Sequence, residues 1–118
     1  MKYIIYCRNA SEHEGNEIGS LLDQEHQLLQ YAKKMHLDVV DKLLENNSGT
    51  AANRPLYRLM MSMIENREAD GILVTDISRI YRSLFDGAKI ISLINSGQIK
   101  EIRTPRQVVN MSGMANTY

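Results

Sequence analysis

Three arginines, Arg8, Arg79 and Arg82, carry the first chemical signal in the chain. Arg8 follows the apolar run KYIIYC, and Arg79 and Arg82 come shortly after DGILVT. A guanidinium is a planar fork of donors that fits a phosphate bidentately. Arg79 and Arg82 are three apart, which puts them on one face of a helical turn. Near a helix start, backbone N–H groups and the helix dipole add attraction for an anion. By chemistry alone the set is a candidate phosphate site. The alternative for the same residues is surface ion pairing with Asp76, Asp86 and Glu45.

The elements that position these residues alternate between strand and helix. Lys2 to Cys7 reads as a buried strand, and Arg8 to Gly19 as a polar loop. Ser20 is placed to cap a helix through His36, with Leu21, Leu28, Ala32 and Met35 on a stripe that Leu22 and Leu29 join. Asp38 to Glu45 reads as a second strand, followed by the turn-rich NNSGTAA. Asn53 can cap a helix with Pro55 in its first turn, and Leu56, Met60, Met63 and Ile64 on its inner face. These methionines suit the filling of core gaps. Asp70 to Thr75 is a third strand, and Ser78 to Tyr81 a short helical turn. Asp86 caps a further helix that Gly97 closes in the left-handed conformation. Ile99 to Thr104 is a fourth strand. Helical crossovers between strands predict an α/β fold, with a mainly parallel sheet of four to five strands flanked by helices. Ligands collect at the carboxyl ends of such strands, and the three arginines all fall there.

The chain has 118 residues, 14 basic and 14 acidic, so it carries no formal net charge and no global pull toward a polyanion. Any nucleic-acid contact must then be a local arginine cluster. The length allows one domain with its own core. A single cysteine, Cys7, excludes an intramolecular disulfide and a cysteine-based zinc cluster. It closes an apolar strand and reads as a packing residue. His13, His26 and His36 are scattered without metal-ligand spacing. The opening apolar run is too short for a signal segment or a membrane span, so the expectation is a cytoplasmic protein without membrane contact.

The rim residues resemble those of the serine recombinases, the resolvase and invertase family, over about residues 2 to 104. YCRNASE is similar to the family's strand-end pattern Y-x-R-x-S-[ST], and SLLDQ to its S-L-x-x-Q. NSGTAANRP resembles S-G-x-x-x-x-R-P, ADGILVTDISRIYRS the A-D-x-[IV]-L-[VC]-x-x-L-D-R-[LI]-x-R-[NS] segment, and INSGQIKEIRTP the end of the catalytic domain in one subgroup. The resemblance implies a resolvase-like catalytic domain that takes part in site-specific DNA recombination. In the family a serine attacks a backbone phosphate, a phosphoserine forms, and a 3′-hydroxyl leaves. Strands are exchanged within a tetramer and rejoined by the reverse reaction. The resemblance implies no metal and no nucleotide cofactor, because arginines hold the phosphate oxygens. It places Arg8, Arg54, Arg79 and Arg82 on the phosphate-site arginines, Gln24 on a motif glutamine, and Glu45 on a usually acidic position. The implied partners are the DNA backbone, bound weakly by this chain, and further copies of the subunit, as a homodimer or tetramer in a full-length relative.

Two departures bear on chemistry. The nucleophile position is Ala10, and a methyl group cannot attack phosphorus. The residue before Arg79, usually aspartate, is Ser78, which carries no charge at neutral pH. Ser11 is a possible substitute nucleophile, but the alternation of side chains along a strand exit turns it away from its neighbour's direction. Tyr81 reads as a packing residue. Residues 105 to 118 read as a C-terminal tail, ragged or one short helix, with no DNA-binding domain; residues 1 to 104 form the catalytic-domain unit. The expectation is an impaired recombinase. The alternatives are a non-enzymatic interaction module that regulates or poisons recombinase assembly, and a protein that binds a phosphorylated ligand.

Overall fold

The computed structural model describes residues 1–8, 17–46, 54–80, 84–110 and 113–117, with backbone alone for 17–20, 84–86 and 113–117. Alternation along the first strand decides how the layers form. In β1 (Lys2–Arg8), Ile4 and Tyr6 enter one core cluster, while Tyr3, Ile5 and Cys7 enter another. A strand apolar on both faces must be covered on both. α1 (Glu17–Met35) covers the Tyr3 side with Leu21, Leu28 and Ala32. α2 (Pro55–Glu65) and α3 (Leu84–Asn95) cover the other side, with Tyr57, Met60, Ile64, Ile90 and Ile94.

The remaining strands are β2 (Asp38–Glu45), β3 (Gly71–Leu73), β4 (Glu101–Arg103), β5 (Gln107–Asn110) and β6 (Gly113–Thr117). They form one six-stranded sheet in the order β2-β1-β3-β4-β5-β6. β2, β1, β3 and β4 pair in parallel, as expected, and β5 and β6 add antiparallel strands. The chain winds one way from β1 to β2 and the other way from β2 to β3. The switch point therefore lies between the carboxyl ends of β1 and β3, where α/β sheets bind ligands.

Several boundaries differ from the sequence reading. α1 starts at Glu17, ahead of the expected cap Ser20. α3 starts at Leu84, so Asp86 sits in its first turn and not at its cap. An acidic residue gains from the helix dipole in either place, which is why sequence does not separate the two. Leu22 and Leu29 are exposed: Gln24 takes the inward position between Leu21 and Leu28, and the two leucines lie about 100° further round. Met35 is exposed as well. Gly97 closes α3 at φ 84°, as expected.

Within residues 105 to 118, expected as a tail or one short helix, Gln107–Asn110 and Gly113–Thr117 instead form β5 and β6. The Thr104 hydroxyl accepts the N–H groups of Arg106 (3.1 Å) and Gln107 (3.0 Å), and Thr104 N–H donates to the Gln107 carbonyl (2.9 Å). This tight turn reverses the chain, and Val108 is buried on the way back. Two further local features shape the sheet. Tyr3 pairs with Val39 and Ile4 with Asp41, so Val40 is the extra residue of a bulge, which accounts for its exposure. The Tyr3 ring crosses Gly71, where a Cβ would lie 2.6 Å from it, and its hydroxyl donates to Glu101 on β4.

Candidate functional site

The switch point is built by a reciprocal clasp between β1 and the segment after β3. Arg8 Nε donates to the Arg79 carbonyl at 2.9 Å, and its Nη2 donates to the Ser78 carbonyl. Arg79 returns the contact, with Nη1 donating to the Arg8 carbonyl at 3.1 Å. Gln24 fixes the same strand end from α1. Its Oε1 accepts Arg8 N–H at 3.2 Å, and its Nε2 donates to the Arg8 carbonyl at 3.0 Å. This explains a buried glutamine within an otherwise apolar helix stripe.

The expected meeting of Arg8 and Arg79 is thus present. Arg8 is only 2% exposed and Arg79 is half-buried. Two of the acceptors of Arg8 are the neutral backbone carbonyls of Ser78 and Arg79. Asp76 Oδ2 lies 3.3 Å from Arg79 Nε, a charge contact without hydrogen-bond alignment, and Asp76 Oδ1 accepts the Ser78 hydroxyl. The ion-pair alternative therefore holds for Asp76. The expected helix of Ser78 to Tyr81 is a 3-10 turn over Ile77–Arg79, too short to supply a helix dipole.

Arg54 holds the same segment one residue further along. It is fully buried, with Nη1 donating to the Ile80 carbonyl at 3.3 Å and its guanidinium carbon 4.3 Å from the Tyr57 ring centroid. Glu45 is buried beside the start of α2. Its carboxylate accepts Leu56 N–H (3.1 Å), Tyr57 N–H (2.8 Å) and the Tyr6 hydroxyl (3.0 Å). It acts as the cap of α2, which Arg54 at the N-cap position does not supply. Burial, then the Glu45 charge, push the Tyr6 phenol well above its usual range, and Arg54 pulls against them. Ala10, Ser11, His13, Tyr81 and Arg82 lie outside the described residues.

Cys7 lines neither region. Burial, then the Glu25 charge, push its thiol up to about 12, so it stays a neutral core group at ordinary pH. Beside the clasp a cleft of about 460 Å³ opens between α1, the segment after β3 and the β4–β5 turn. Thr75, Asp76, Arg79 and Arg106 are among the residues that line it. The sequence reading did not select Thr75 or Arg106. The strand-end rule that found Arg79 also covers Arg106, which follows β4 at the same end of the sheet.

A family profile described as "Resolvase, N terminal domain" matches residues 3–110. The fold is similar to the N-terminal catalytic domain of TP901-1 integrase, at TM-score 0.73 and 26% identity, over 88% of this chain and 77% of that one. It is equally similar to the C-terminal catalytic domain of ISC1926 TnpA, an IS607-like serine recombinase, with TM-score 0.73, 26% identity and coverage of 88% and 69%. A resolvase family site-specific recombinase from Streptococcus pneumoniae shares the fold at TM-score 0.66 and 16% identity, over 88% of this chain and 71% of that one. Among curated protein sequences none matches the chain. No helix among the described residues is long and apolar enough to cross a membrane.

Proposed function

The chain belongs to the family of resolvase N-terminal domains, of serine-recombinase type, and from that premise we propose that it binds the DNA backbone at the Arg8–Arg79 corner while its own strand cleavage is impaired. The observation that carries the binding half is the reciprocal clasp at the switch point. It brings two cations from distant parts of the sequence together at the strand ends, and Arg79 lines an open cleft. Two guanidinium groups so placed attract a phosphate oxygen even with Asp76 beside one of them.

The impairment rests on residue types. Ala10 stands at the nucleophile position of the resembling motif, and Ser78 where an aspartate usually stands. Without a hydroxyl at the first there is no oxygen to form a bond to phosphorus, so the 3′-oxygen is not released. Holding a phosphate and cutting beside it are separable tasks, and these substitutions touch the second. Arg54 and Glu45 support the corner from below as scaffold.

The test is DNA binding as a function of salt, read by fluorescence anisotropy with a short labelled duplex. The wild-type protein should bind weakly at low salt, and Arg79→Ala should lose about ten-fold, the scale of a hydrogen bond to a charged group. Equal binding by both proteins would remove Arg79 from the interface. No binding by the wild type would refute the DNA reading itself.

A further inference from the structure

Among the described residues Arg8, Arg54 and Arg79 are largely engaged within the protein, and the least encumbered cation at this end of the sheet is one that no motif marks. Among the described residues the Arg106 guanidinium has no hydrogen-bond or ion-pair partner, and the residue is exposed. The Thr104 turn holds its backbone in place through the two N–H bonds to the Thr104 hydroxyl. Arg79, which lines the same cleft, has no partner at Nη2 among the described residues. The Thr75 hydroxyl, on a residue that also lines the cleft, is a buried polar atom without a partner among the described residues. A buried hydroxyl left unbonded is costly, and such atoms mark places where a ligand completes the set.

We infer that this cleft seats the nucleotide adjoining the phosphate held at Arg79, with Arg106 as its phosphate contact and the Thr75 hydroxyl as a second polar anchor. This inference rests on the DNA-binding reading above and names the path the strand takes through the site. The mixed charge of the cleft favours a nucleotide over a free anion. Asp23 and Asp76 line it together with the two arginines, so inorganic phosphate meets both signs. A nucleotide also presents base N–H donors, which those carboxylates and the Gln27 side-chain oxygen can accept. The volume of about 460 Å³ falls within the range of small-molecule sites.

The test compares Arg106→Gln, Thr75→Val and the control Arg58→Gln in the full chain, with the same labelled duplex over a salt series. Arg58 is exposed on α2, on the face of the sheet opposite α1. Arg106→Gln should weaken binding about ten-fold at low salt. It should also flatten the plot of log affinity against log salt by about 0.9, the share of one neutralised phosphate. Arg58→Gln should change neither. Thr75→Val should weaken binding yet raise the melting temperature of the free protein, because it removes an unbonded buried hydroxyl. A purely structural hydroxyl would give a lower melting temperature and unchanged affinity. If Arg79→Ala weakens binding while Arg106→Gln and Thr75→Val do not, the cleft is not the path, although the corner still binds DNA. Equal losses in Arg106→Gln and Arg58→Gln overturn the inference in favour of diffuse attraction. Absence of wild-type binding overturns both readings.

Discussion

Two arginine-centred regions lie close together and differ in what surrounds them. At the Arg54 region, a fully buried guanidinium stacks on Tyr57, while the buried Glu45 carboxylate nearby caps α2 and binds Tyr6. At the strand ends the buried Arg8 and the half-buried Arg79 hold each other's backbones, and Arg79 lines an open cleft. Both sets fall on motif positions that the sequence reading treated as one phosphate site. The difference shows that a motif arginine can serve by what it supports. A cation wholly removed from water needs a closed set of partners, and losing one leaves the rest uncompensated. A half-buried cation that lines a cleft, as Arg79 does, leaves part of its guanidinium within reach of a ligand.

The comparison predicts different responses to the same substitution. Arg54→Ala should destabilise the protein by about 3 kcal/mol in urea unfolding, because a buried charged group loses its surroundings. A loss below ~1 kcal/mol would mean that the buried cluster is not the scaffold. Next in size, Gly71→Ala should cost about 2 kcal/mol by overpacking against the Tyr3 ring, which cannot swing freely while its hydroxyl holds Glu101. Arg79→Ala should cost only about 1 kcal/mol, the scale of its half-exposed bonds, while its DNA affinity falls as described above. A stability loss as large as that of Arg54→Ala would erase the distinction between scaffold and rim.

The pH response is the smallest effect in the neutral range and concerns the core alone. Burial raises Cys7 from 9.0 to about 12 and Tyr3 from 10.0 to about 12. The unfolded chain therefore releases these protons at lower pH than the folded one. Their contribution to stability is fully present below about pH 9 and is lost as pH rises toward 12. Melting temperature should be flat with respect to these groups from neutral pH to about 9 and then fall. In Cys7→Ala the fall should begin later, near the unperturbed tyrosine value of 10.0. An unchanged onset would remove Cys7 from the account.

Much of the fold was legible because it rests on local pattern. KYIIYC announced a strand covered on both faces, and the crossover helices announced parallel pairing. The contacts that define the site were not legible in the same way. Glu45 was readable as an acidic residue near the rim, but its partners are backbone N–H groups of α2, which become neighbours only when β2 ends beneath that helix. Leu22 and Leu29 looked inward by type, yet Gln24 holds the inward place because its amide has a strand end to clip. The strands after Thr104 were missed because they are short and lean on a side-chain turn rather than on a long apolar run. Arg106 went unselected with them.

The central claim is that this domain retains the means to hold a DNA phosphate and lacks the means to attack it. The most direct measurement is covalent capture on a nicked suicide DNA substrate, read on a denaturing gel, for the wild type and for Ala10→Ser combined with Ser78→Asp. The account predicts no adduct from the wild type and a protein–DNA adduct at position 10 in the double variant. A robust wild-type adduct, mapped by mass spectrometry to Ser11 or any other residue, would contradict it.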